Sequence, residues 1–342
     1  MAKYEIKDGV GIIPEGTTEI KEYPFSNDYR TDCTELTSVI IPNSVTEIGW
    51  NAFAGCPNLT NVVIPNSVKT IGEKAFSGCS SLTSVTIPNS VTIIGSNAFN
   101  GCTALTNIVF PESLKEIENY SFCGCSSLTN IFIPKTLTNI SESAFAGCSG
   151  LKSIVVEEGN PSYDSRNNCN GIIRTSDSTL IAGCKSTVIP DSVTKIEKNA
   201  FSDCTGLTSM NIPDSVREIE GQAFFGCTGL TCINIPDSVM IIGYCAFQGC
   251  TDLTSINIPD SVFEIESYAF CGTGLTSISI PENVTKIGER AFKYCMGLEN
   301  IVVPKSVTEI EYCAFEQCTN LKSASVLGPV AEMYYTFRDC TA

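Results

Sequence analysis

Histidine is absent from all 342 residues, and that absence removes whole classes of chemistry. Imidazole is the side chain whose ordinary pKa lies in the physiological range. Without it there is no Ser-His-Asp or Cys-His nucleophile pair and no HExxH metal site. Tryptophan is nearly absent, with Trp50 standing alone. Base is scarce as well: 21 Lys and Arg face 37 Asp and Glu, a formal net charge of −16. That balance argues against nucleic acid and anionic membrane as partners, and makes a cationic partner or a metal ion easier to accept. No apolar run approaches the roughly 18 residues of a membrane-spanning helix, so no membrane insertion is expected. The opening Met1-Ala2-Lys3-Tyr4-Glu5 has no hydrophobic stretch, so no leader is read there. Phosphate loops, dinucleotide fingerprints and EF-hand loops are missing too.

What the chain has in abundance is repetition. Pro42, Pro65, Pro88, Pro111 and Pro134 follow one another every 23 residues. The series resumes at Pro190, Pro213, Pro236, Pro259, Pro281 and Pro304. A repeat of this length overrides the two-domain prior that 342 residues would suggest. A typical unit reads Leu82-Thr-Ser-Val85-Thr-Ile87-Pro88-Asn-Ser-Val91, then Ile94-Gly95, Ala98-Phe99 and Gly101-Cys102. Val85 and Ile87 alternate with Ser84 and Thr86, the period-2 pattern of a half-buried strand. Proline ends that strand, because it brings no donor to a ladder. Asn89-Ser90 turns the chain, Val91–Gly95 makes a second extended piece, and Ala-Phe-x-x-Cys suits a short helical corner. One such coil cannot bury its own apolar face, so the coils must stack.

Two columns would build the core. Phenylalanine recurs from Phe53 to Phe145 and from Phe201 to Phe315, each after Ala except Phe122, which follows Ser121. A small residue beside a large one lets layers interdigitate, and a core ladder is preferred over a ligand groove. Cysteine recurs at Cys56, Cys79, Cys102, Cys125 and Cys148. Stacked thiols point the same way, whereas a disulfide needs converging Cβ vectors. The expectation is a ladder of reduced, buried thiols acting as small core residues, which favours a reducing or anaerobic setting. Cys123-Gly-Cys125 is read as core rather than as a metal or redox pair. The position of Gly49, Gly72 and Gly95 holds Glu118, Glu197, Glu220 and Glu311 elsewhere, so it does not require positive φ.

Units such as LTSVTIPNSVTIIGSNAFNGC resemble the BspA-type, or Treponema-type, leucine-rich repeats, and the resemblance covers nearly the whole chain. It implies a repeat solenoid: a right-handed superhelix of about 23-residue coils with a parallel β-sheet on one face and short extended segments and helical turns on the others. It also implies a non-catalytic protein-binding scaffold, adhesin-like, displayed at the cell surface, with a host matrix or cell-surface protein as partner. It brings no catalytic residues and no cofactor. The first residues carry no sign of export, so cell surface and cytoplasm both stay open. A passive spacer within a longer surface protein and a polysaccharide-active β-solenoid enzyme are the alternatives. The enzyme would need clustered acid and base on one strand face.

The period breaks twice. The N-terminal coil, 1–35, is read as a cap with five extra residues near Ser26–Asp32. A regular array over 36–157 leads to a long coil, 158–189. There Ile172–Thr175 and Thr179–Ala182 flank Ser176-Asp177-Ser178 and read as a hairpin. This coil is either a binding loop or a splice between arrays. A second array fills 190–342 and ends in a degenerate coil, Ser325–Asp339, which would serve as a cap.

Outward positions differ between the arrays. Two residues before the proline, or before Glu157 in its place, stand Ile40, Val63, Thr86, Val109, Phe132 and Val155 early on, then Asn211, Asn234, Asn257 and Ser279. The apolar set is the candidate partner-binding stripe, with Trp50 as a separate candidate anchor, or else a residue packed on the neighbouring cap. The bland reading is that β-branched residues simply favour strands. After the proline, Asn43, Asn66 and Asn89 give way to Asp191, Asp214, Asp237, Asp260 and Glu282. Between Asn199 and Thr285 there are ten acids and one base, Arg217. This acidic column is a candidate site for weak calcium or a basic protein. The preferred alternative is that each Asp closes its own turn through an Asx hydrogen bond.

Overall fold

The computed structural model describes residues 4–25, 33–330 and 333–340. It is a β-solenoid of about 13 turns with a spacing of about 23 residues. The chain divides into two compact units, residues 1–165 and 166–342, and the division falls inside the 158–189 coil. Among the described residues no helix is long and apolar enough to cross a membrane.

In the first unit each coil contributes two short strands to two separate parallel stacks. One stack runs through Val10–Ile12, Ser38–Ile40, Asn61–Val63, Ser84–Thr86 and Asn107–Val109, with Glu5–Lys7 added antiparallel at its start. Asn130–Ile133 and Ser153–Val156 pair in the same manner. The other stack runs from Glu19–Ile20 through Glu47–Ile48 to Asn139–Ile140. The proline turn joins them: Val91 N donates to Pro88 O at 3.0 Å, and Ser113 Oγ reaches back to Val91 O at 2.7 Å. The five extra residues of the N-terminal cap lie outside the described residues.

The expected helical corner is not a helix. Phe76 N donates to Ala98 O and Phe99 N to Ser121 O, both at 2.7 Å, while Ser77 N and Cys79 N donate three residues back, so alternate donors of the corner reach the next coil in place of an i to i−4 ladder. The backbone there turns on two left-handed residues. The first is Asn51, Lys74, Asn97, Tyr120 or Ser143; the second is a glycine such as Gly78 or Gly101. Gly49, Gly72 and Gly95 have no positive φ, as expected, and are small for another reason. A Cβ on Gly95 would come within 2.7 Å of the Gly72 carbonyl carbon in the coil below. Where glutamate takes this position it caps the neighbouring coil: Glu118 Oε2 accepts from both Ser96 N and Ser96 Oγ at 2.9 Å.

The core consists of the predicted columns. Phe53, Phe76, Phe99 and Phe122 stack nearly parallel, with ring centroids 5.2–5.3 Å apart, and all are buried. Phe25 extends the column at one end.

The second unit begins with a single 3-10 turn, Arg166–Asn168, and the expected hairpin, Gly171–Arg174 against Thr179–Gly183. Asp177 closes the hairpin turn by accepting from Thr179 N at 3.1 Å. Thr179–Gly183 then starts a parallel ladder through Lys195–Ile196, Glu218–Ile219, Ile241–Ile242, Glu264–Ile265, Lys286–Ile287 and Glu309–Ile310. Phenylalanines from Phe201 to Phe315 stack as in the first unit. The degenerate last coil keeps the pattern: Phe337 stacks on Phe315 at 5.3 Å.

Candidate partner-binding surface

The pleat separates the stripe from the core, residue by residue. Val39, Val62, Ile108, Ile131 and Ile154 are buried. Their neighbours Ile40, Val63, Val109, Phe132 and Val155 are exposed, from 44% for Val155 to 68% for Val63. Parallel pairing puts Ile40 beside Val63, Val63 beside Thr86, Thr86 beside Val109, and Phe132 beside Val155. A shallow depression takes its walls from Val109, Phe132 and Val155, and a second from Ile40 and Val63. Asn61, Asn107 and Asn130 border the stripe and are exposed. An apolar centre with a polar margin is the anatomy of a protein interface. Trp50 is 49% exposed but stands in the turn after Glu47–Ile48, on the other strand stack, and so is not part of the stripe.

In the second unit the corresponding positions, Asn211, Asn234, Asn257 and Ser279, are exposed and polar. The apolar pattern returns at Val302, which is 56% exposed and which the sequence reading passed over.

The acidic column is exposed throughout, but the Asx hydrogen bonds expected of it are not there. Among the described residues the side chains of Asp191, Asp214, Asp237, Asp260 and Glu282 form no hydrogen bond. The turn is closed instead by Val216 N to Pro213 O at 3.0 Å, and Ser215 Oγ ties it to Val193 O at 2.6 Å. Nor, among the described residues, do three acids or cysteines converge as metal ligands would. Glutamates of the second ladder, by contrast, do engage bases. Lys195 lies 2.5 Å from Glu220 and 3.4 Å from Glu218, and Lys286 lies 2.8 Å from Glu311. The hydrogen bond from Lys286 holds the Glu311 carboxyl below its ordinary pKa, and that to Glu220 holds Lys195 above its own.

Parallel strands repeated once per coil, stacked phenylalanine and exposed strand faces define a leucine-rich-repeat solenoid. Six copies of the BspA type leucine rich repeat region are recognised, over residues 11–92, 70–170, 181–299 and 225–342, and the chain belongs to that family. It is similar to a leucine rich cell surface protein from Faecalibacterium prausnitzii A2-165. The two share 33% identity over 91% of this chain and 83% of that one, with a TM-score of 0.67. A leucine-rich repeat protein from Eubacterium ventriosum shares the fold at 24% identity. That match covers 96% of this chain and 93% of the other, with a TM-score of 0.69. The pneumococcal vaccine antigen PcpA shares the fold at 18% identity. Its match covers 96% of this chain and 84% of that one, with a TM-score of 0.65. No curated protein matches the chain.

Proposed function

We propose that this protein is a non-catalytic, adhesin-like scaffold whose partner is a protein of a host matrix or cell surface. The observation that carries the reading is the column of exposed apolar side chains on the first unit: Ile40, Val63, Val109, Phe132 and Val155. Their burial on binding would release water from apolar surface, and their polar margin would set register. The fold needs none of them for its core, since the alternate residues fill it. The similarity to a protein described as a leucine rich cell surface protein supports a surface location. The test is solid-phase binding of the intact protein to a panel of purified extracellular-matrix proteins, with Phe132→Asp in parallel. Binding to at least one member that the variant loses supports the scaffold. Binding to none, or equal binding by the variant, removes the stripe as the site and leaves a spacer.

A further inference from the structure

The second strand ladder of the second unit carries an anomaly of its own. Each coil of this ladder presents an outward pair just ahead of a buried isoleucine. Four of the pairs are polar or charged: Thr194-Lys195, Arg217-Glu218, Thr285-Lys286 and Thr308-Glu309. Two adjacent coils break the rule, with Met240-Ile241 and Phe263-Glu264. Met240, Ile241 and Phe263 are 48%, 43% and 58% exposed. In-register pairing of Ile242 with Ile265 puts Met240 and Phe263 in one column. In the turn that follows, Tyr244 stands where neighbouring coils hold Gly221 and Ser267. It is 48% exposed, and its ring meets that of Tyr268 edge-on at 5.7 Å. Strand propensity does not account for Met240 or Phe263, because both precede the two-residue strands Ile241–Ile242 and Glu264–Ile265. Core packing does not account for them either, because Val239, Ile242, Val262 and Ile265 fill it.

We propose that Met240, Ile241, Phe263 and Tyr244 form a second docking surface, which takes a basic, apolar segment of a partner protein. Methionine and aromatic rings are the side chains that dominate such contacts. The charge of the partner follows from the surroundings. Ten acids and one base lie between Asn199 and Thr285. The nearest lysines are already engaged, Lys195 by Glu218 and Glu220, and Lys286 by Glu264, Glu309 and Glu311. Arg217 stands beside Met240 in the same column and bonds only to backbone carbonyls, so it is a free base at the rim. Against it, Asp237, Asp260 and Glu266 form no ion pair among the described residues, and the rim keeps an excess of carboxylate around its apolar centre. An acidic partner is repelled there, and a lysine- or arginine-bearing one is drawn in. This surface is independent of the stripe on the first unit.

The probe is a synthetic peptide of alternating leucine and lysine, with a leucine–glutamate peptide of equal length as control. Binding to the full chain is read by fluorescence anisotropy at physiological salt. The leucine–lysine peptide should bind and the control should not. The charge-neutral double variant Met240→Ser/Phe263→Ser should weaken binding at least about tenfold, as should Tyr244→Ser, while Phe132→Asp leaves it unchanged. These side chains are exposed, and unchanged melting curves will show that the variants fold. Undiminished binding by the double variant would mean attraction by charge alone, and would overturn the proposal. So would equal binding of the control, loss of binding in Phe132→Asp, or failure of the leucine–lysine peptide to bind. Self-association of the chain that disappears in the double variant would make the occupant a second copy, and would overturn the assignment to a basic partner.

Discussion

Cys102 donates its thiol hydrogen to the carbonyl oxygen of Phe76, one coil back, at 3.2 Å. The same bond joins Cys79 to Phe53, Cys125 to Phe99 and Cys250 to Phe224, each at 3.2 Å. The cysteine column is thus more than small apolar filling, because each thiol is a second donor to a carbonyl that can accept two, as Phe76 O does from Cys79 N and from the Cys102 thiol. Sixteen of the 19 cysteines are buried, Cys123 and Cys340 are half-buried, and Cys232 is exposed. Thiol titration of the unfolded, unreduced protein should recover most of the 19. In the folded protein Cys232 should react first. Recovery of only one or two thiols would refute the ladder.

Burial pushes the Cys79, Cys250 and Cys295 thiols up to about 12, from the 9.0 of an exposed thiol. A raised pKa for an acid means that the unfolded chain ionises first. Its stabilising contribution is therefore whole below pH 9 and is lost as pH rises from about 9 toward 12. Each such thiol costs about 1.4 kcal/mol per pH unit in that window. The melting temperature should fall steeply above pH 9, and Cys250→Ala should make the fall shallower. A flat alkaline profile would mean that the thiols are not buried as described.

Phe99 lies between Phe76 at 5.2 Å and Phe122 at 5.3 Å and is fully buried. Phe99→Ala leaves a cavity that neighbouring coils cannot close without breaking their ladder. Chemical denaturation should show a loss of about 3–5 kcal/mol. A loss below about 1 kcal/mol would place the ring outside the core.

The carboxylates of Asp214, Asp237 and Asp260 are exposed and belong to no converging group of three. A calcium site gathers six to eight oxygens, and a column of single carboxylates on successive coils does not supply them. Calorimetry should detect calcium binding no tighter than about millimolar. Tighter binding that Asp237→Asn abolishes would establish the acidic column as a cation site.

The sequence carried the first strand, its register and both core columns, because Val39-Ile40 and its equivalents alternate with a period that only a pleated strand satisfies. It did not carry the corner. The left-handed residue there is Asn51, Lys74, Gln222 or Arg290, with no shared chemistry, and what these positions share is a backbone hydrogen bond to the next coil. Pro-Asp-Ser suggested an Asx turn, but the serine and the backbone close that turn, so the aspartate stays free. The patch at Met240 and Phe263 was hidden for another reason. Its strands are two residues long, too short to show a period, and its residues stand out only against the polar pairs of neighbouring coils.

Phe132 is the largest side chain of the stripe and the one expected to anchor a partner. It is 50% exposed, while Ile131 and Ile133 on either side are buried. An aspartate at 132 therefore faces water, and the fold should keep its melting temperature nearly unchanged. Any partner seated in the depression between Val109 and Val155 would meet a desolvated carboxylate in place of a ring. Binding should weaken by at least about 2 kcal/mol, roughly thirtyfold in Kd, because truncated aromatic anchors at interface centres cost that much. Thr86→Val gives the opposite test, since it fills the single polar gap between Val63 and Val109 and should strengthen the same interaction. Unfolding of Phe132→Asp would mean that the register is wrong and the ring is buried. A folded Phe132→Asp that binds normally, together with a Thr86→Val that changes nothing, would move the partner off the stripe altogether.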